Sequence, residues 1–152
     1  MKIYEKLDVD NVARIGLMYI DGDKLETVLL NKTSASTDDI TYDHAQFNEL
    51  KMALLKLEKI NPDLNLSALL WQQRPGNPDV VMPIVVGSAL PCEGPDFPFA
   101  SDDMKAVFRT GESHSVTKNC GCMAHYYAVR NSDELIAGVL ELFQSAVAKN
   151  DI

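Results

Sequence analysis

Long apolar runs are missing from this chain of 152 residues. The nearest, VVMPIVVGSAL (Val80–Leu90), is short and holds a proline, well under the roughly 18 apolar residues that a membrane helix needs. The start, MKIYEKLDVD, has no apolar core of the kind a signal peptide carries. The polypeptide therefore reads as soluble as given, whether free-standing or the soluble part of a membrane protein. Positive charge is scarce as well. Lys and Arg number 14 against 22 Asp and Glu, for a formal net charge of −8, which argues against a basic surface for nucleic acid. Cysteine is limited to Cys92, Cys120 and Cys122. That is too few for a disulfide framework, and an odd number leaves at least one thiol unpaired in a monomer. Catalytic signatures are missing too. Around Ser88, Val86 and Leu90 stand where a G-x-S-x-G elbow needs glycines. No glycine-rich phosphate loop occurs, the carboxylates form no pairing motif, and His114 and Ser115 beside Glu112 make no hydrolase motif. The chain is not expected to be an enzyme.

What is present is an ordinary globular composition, 46% apolar and 24% charged, enough for one domain over 1–152 with its own core. From Asp8 to about Ile20, Val12, Ile15 and Tyr19 fall on one helical stripe. Gly22 breaks it, and Asp23 with Glu26 three residues on resembles a capping box for a second, short helix. A polar loop, NKTSASTDDIT, follows. Asp43, with Gln46 at the reciprocal position, caps a longer helix whose buried stripe is Phe47, Leu50, Leu54 and Leu57. Its last turns carry lysines, where the dipole favours them, and Asn61-Pro62 stops it. The period then changes. SALLWQ and VVMPIVV read as strands separated by a QRPGNPD loop, and PCEGPDFPFA as a long irregular loop. SDDMKAVFRTG reads as a short helix with Ser101 as cap and Gly111 at the exit. Three more strands follow, HSVTK, MAHYYAVR and LIAGVLELF, then a helical or frayed tail. Segregated helices beside a run of antiparallel strands indicate an α+β fold. Met52, Met82, Met104 and Met123 fall at apolar positions and read as core filler.

Four stretches, in this order, resemble the extracytoplasmic Cache sensor domains, relatives of PAS domains, of bacterial chemoreceptors, histidine kinases and diguanylate cyclases. They are YIDGDKLETVL, FNELKMALLKLEKINPDLNLSALLW, MKAVFRTGESHSV and HYYAVRNSDELIAGVLEL. Together they cover most of the chain, and their order carries the resemblance more than any one of them. It implies a PAS/Cache-like antiparallel sheet of about five strands flanked by N-terminal helices, with a small-molecule pocket on one sheet face beneath loops. It also implies an extracytoplasmic location and a homodimer through the N-terminal helix, with no cofactor. Two departures stand out. Glu134 occupies the place in the last turn where the family usually has a glycine at positive φ, which points to another turn type here. The QSAVAKNDI tail is polar where the family often continues into a membrane helix.

The expected pocket wall is the sheet face bearing Trp71 and one of Tyr126 or Tyr127, since adjacent strand residues face opposite ways. Arg74 or Arg109 would anchor an anionic ligand through a bidentate fork. A second reading stays open: a stand-alone cytosolic PAS- or GAF-like module holding a metal or redox cofactor through Cys92, Cys120 and Cys122, with His125 nearby in NCGCMAH. The Cys120–Cys122 spacing is not that of structural zinc or attached haem, and no metal is expected on the favoured reading.

Overall fold

In the computed structural model, residues 8–26, 45–74, 76–88, 101–117 and 121–145 are described. Their main helices are α1 (Val9–Tyr19), α2 (Ala45–Glu58) and α3 (Asp102–Thr110), beside short helical stretches at 22–26 and Pro62–Leu64, and they form five strands. The strands are β1 (Leu66–Arg74), β2 (Asn77–Val86), β3 (His114–Thr117), β4 (Met123–Arg130) and β5 (Ile136–Gln144). All neighbours pair antiparallel in the order β2-β1-β5-β4-β3. The fold is α+β with a five-stranded antiparallel sheet and flanking helices, as expected. No helix among the described residues is long and apolar enough to cross a membrane.

Both faces of the sheet are covered. Leu66, Ala68 and Leu70 of β1, Tyr127 and Val129 of β4, and Leu140 and Leu142 of β5 pack with α1 and α2. The alternate residues, Leu69, Trp71, Ala124, Tyr126, Val139 and Phe143, pack with Met104 and Val107 of α3. This two-sided burial explains why β1 and β5 are apolar at successive positions where a one-sided strand would alternate. Each fully buried Leu or Val contributes roughly 1.5–3 kcal/mol. β2 lies at an edge, where the missing N–H of Pro83 is tolerated. Its register slips between Leu70↔Val85 and Trp71↔Pro83, so Ile84 is the extra residue of a bulge and joins Val85 in the α1/α2 core.

Local caps set the start of α1 and both ends of α3. Asp8 caps α1 by accepting from the Asn11 N–H at 2.8 Å, and Ser101 caps α3 by accepting from Met104 N–H at 3.2 Å. Gly111, at φ 78°, closes α3 with its N–H on the Val107 carbonyl. The stripe of α1 is rotated from expectation: Val12, Ala13 and Gly16 are buried, while Tyr19 is 74% exposed. Gly16 sets the rotation, because a Cβ there would fall 1.9 Å from Leu57 Cδ1, so α1 crosses α2 at this point. In α2, Leu50, Leu54 and Leu57 are buried as expected and Phe47 is half-buried. Its expected cap, Asp43, lies outside the described residues.

The second helical segment, residues 22–26, is capped differently from expectation. Asp21, not Asp23, accepts from the first turn, at Asp23 N–H 2.9 Å away. Asp23 and Glu26 instead reach the β4–β5 turn: Asp23 Oδ1 accepts from Ser132 N–H and Oγ–H, and Glu26 Oε1 from Asn131 Nδ2. A capping-box spacing here serves tertiary attachment. The expected QRPGNPD loop is also shorter than read, since β1 runs to Arg74 and β2 resumes at Asn77, with Gly76 at φ 81° turning the chain.

Candidate functional site

Strand alternation carries Trp71, Tyr126 and Glu141 to the sheet face beneath α3. Tyr126 and Glu141 are direct cross-strand partners, and Trp71 pairs with Val139 next to them. All three are nearly sealed from solvent, at 5%, 2% and 3% exposure. Trp71 Nε1 donates to Glu141 Oε1 at 2.7 Å. Burying a carboxylate among Val139, Phe143, Met104 and Val107 costs several kcal/mol unless donors such as this indole compensate. Burial first, and the Glu141 charge second, push the Tyr126 phenol well above its ordinary value, while a hydrogen bond with Ser101 pulls the other way. Tyr126 therefore stays a neutral phenol and ties the cap of α3 to the sheet. An indole, a phenol and a buried carboxylate thus lie together on one face beneath α3. Glu141 escaped the sequence reading, although one signal was there: it is the single acid between Val139 and Phe143, at their parity.

The remaining expected wall and anchor residues go elsewhere. Tyr127 lies on the opposite face and donates to Asp10 Oδ1 at 2.7 Å. Burial, then its hydrogen bond with Asp10, raises its pKa above the ordinary value. Arg74 is exposed at the end of β1, and Arg109 is exposed in the last turn of α3. Of the cysteines, Cys122 is buried on the α3 side, and Cys92 and Cys120 lie outside the described residues. Among the described residues no group of three or more His, Cys, Asp or Glu side chains is placed to hold a metal ion. His125 is on the α1 side of the sheet, away from Cys122.

Two further features were not legible in sequence. Ser115 and His125 are direct cross-strand partners, with Ser115 Oγ 2.7 Å from His125 Nδ1 and His125 Nε2 3.3 Å from Gln144 Oε1. Between the outer surfaces of α1 and α2 runs a mostly apolar groove of about 770 Å³, with Ile15, Gly16, Tyr19, Met52, Ala53 and Leu57 along it. Met52, expected in the core, is 53% exposed there, because its place on α2 lies outside the Leu50–Leu54–Leu57 stripe. Met104 is buried as expected, and Met82 and Met123 are half-buried.

Comparison with protein-family models and with curated proteins finds no match to this chain.

Proposed function

We propose that this chain is a non-enzymatic ligand-sensing domain of the Cache/PAS type, belonging to a bacterial signal-transduction protein. Its guest is a small molecule held on the sheet face beneath α3. The observation that supports this most is the buried Trp71–Glu141 hydrogen bond beside Tyr126. A plain core gains little from a carboxylate at this position, whereas a binding face gains a fixed, desolvated acceptor. The carboxylate favours an amine-bearing guest over the anionic guest that Arg74 and Arg109 would have suited. Binding would loosen α3 from the sheet at Ser101 and Tyr126, and signal through differential affinity for the two arrangements. Exposed Met18, Tyr19 and Met52 favour pairing of two copies through α1 and α2.

A thermal-shift screen of small amines and small carboxylates identifies the guest, and titration calorimetry then measures variants against it. Trp71→Phe and Glu141→Gln should each weaken binding by about tenfold or more, the loss of one charge-assisted hydrogen bond. Tyr127→Phe, on the reverse face, should leave affinity unchanged. Unaltered affinity in both Trp71→Phe and Glu141→Gln would place the guest elsewhere.

A further inference from the structure

The Ser115–His125–Gln144 line has the makings of an activated nucleophile. With its Oε1 facing His125 Nε2, Gln144 accepts from the imidazole in the tautomer that carries the proton on Nε2. Nδ1 is then the bare acceptor, and Ser115 Oγ–H donates to it across 2.7 Å. A hydroxyl within hydrogen-bond reach of a base, which a third group orients in turn, is the general form of nucleophile activation. Access differs along the line in the useful direction: Ser115 is exposed, whereas His125 is buried. β3 is an edge strand, and along an edge every second residue turns its N–H away from its partner strand. Either Ser115 or both of its neighbours therefore turn an N–H away from β4. By strand alternation the same-face neighbours are Thr117, Met123 and Tyr127, which suits a neutral acyl group better than a phosphoryl group.

We propose that Ser115 is an acyl-accepting serine, activated by His125 and captured by small activated carboxylic esters. The Oγ–H proton moves to His125 Nδ1 as Oγ bonds to the acyl carbon. The carbonyl re-forms as the ester C–O bond breaks, and the departing alkoxide takes the proton from Nδ1. The products are acyl-Ser115 and one alcohol, with His125 neutral again. Gln144 is a positioning residue that holds the imidazole tautomer. The site lies on the sheet face opposite Trp71 and Glu141, so it stands apart from the proposed ligand face.

The test is acetylation of the full chain by 4-nitrophenyl acetate, followed by release of 4-nitrophenolate, intact mass and peptide mapping. The expected result is one acetyl per chain on Ser115, absent from Ser115→Ala and formed about 100-fold more slowly in His125→Gln, the lower end of a positioned base's contribution. Ser115→Ala also removes the hydroxyl bonded to buried His125 Nδ1, so both proteins are assayed well below the lower of their melting temperatures. His125→Gln should lose the fast phase. Gln144→Leu should slow it and Gln144→Glu, which restores an acceptor, should recover it; a merely structural glutamine would show no such rescue. Acetylation that is as fast in Ser115→Ala, or that maps only to lysines, overturns the proposal.

Discussion

Glu134 is the residue to replace first. It sits at φ 67°, in the left-handed region where an L-residue's Cβ crowds the carbonyl, at roughly 1–2 kcal/mol per residue. The hairpin enforces this. Asn131 Oδ1 accepts from Asp133 N–H at 2.9 Å and from Leu135 N–H at 3.0 Å, and Glu134 N–H donates to the Asn131 carbonyl. Arg130 Nη1 donates to the Glu134 carbonyl at 2.7 Å. The two of these contacts that involve residue 134 use only its backbone N–H and carbonyl, and its side chain is exposed. Glu134→Gly therefore removes the strain and no contact. Against it stands the greater freedom of glycine in the unfolded chain, about 0.5–1 kcal/mol. The net expectation is a stabilisation of about 0.5–1 kcal/mol, or a rise in Tm of roughly 1–4 °C for a chain of this size. Urea melts and calorimetry measure it, with Glu134→Ala as the control that trims the side chain but keeps the strained Cβ. If Glu134→Gly melts with or below Glu134→Ala, backbone strain is not what limits this turn.

Gly22→Ala should destabilise by about 1–3 kcal/mol, read by urea denaturation, because its Cβ would lie 2.3 Å from the Arg130 carbonyl oxygen, a backbone atom with no room to move. Tyr127→Phe should cost about 1 kcal/mol at neutral pH through the lost bond to Asp10. The same variant carries a pH signature. The folded-state pKa of Tyr127 lies above its ordinary value of 10.0, so its contribution is complete below that pH and is lost as pH rises beyond it. Melting curves between about pH 8 and 11 should therefore fall less steeply for Tyr127→Phe than for the parent chain; parallel slopes would show that Tyr127 ionises alike folded and unfolded.

Much of the fold was legible because its signals are local. Ser101 and Gly111 bracket α3 with a side-chain acceptor and a left-handed exit, and both act within one turn of the chain. MAHYYAVR matched β4 residue for residue, since β-branched and aromatic residues between turn formers have few alternatives. The mistaken positions are those where a distant partner changes the local choice. Asp23 and Glu26 have the spacing of a capping box, yet the β4–β5 turn offers them stronger partners. Glu134 takes a backbone conformation suited to glycine because Asn131 and Arg130 hold the turn from both sides. Tyr19 falls outside the buried stripe because Gly16, not its neighbours, meets Leu57.

The candidate site divides in the same way. Residue types and strand parity sufficed to put Tyr126 and Tyr127 on opposite faces and to nominate Trp71. They could not nominate Glu141, whose indole donor lies 70 positions away in sequence, or join Ser115 to His125 across a strand pair. Sequence alone determined the α+β class, the helix limits at Ser101 and Gly111, and the apolar strands, because capping, turn geometry and two-sided burial are written into neighbouring residues. Only the tertiary structure decided which polar side chains meet, because cross-strand register is set by the packing of the whole sheet, and a one-residue slip would have sent every one of those groups to the other face.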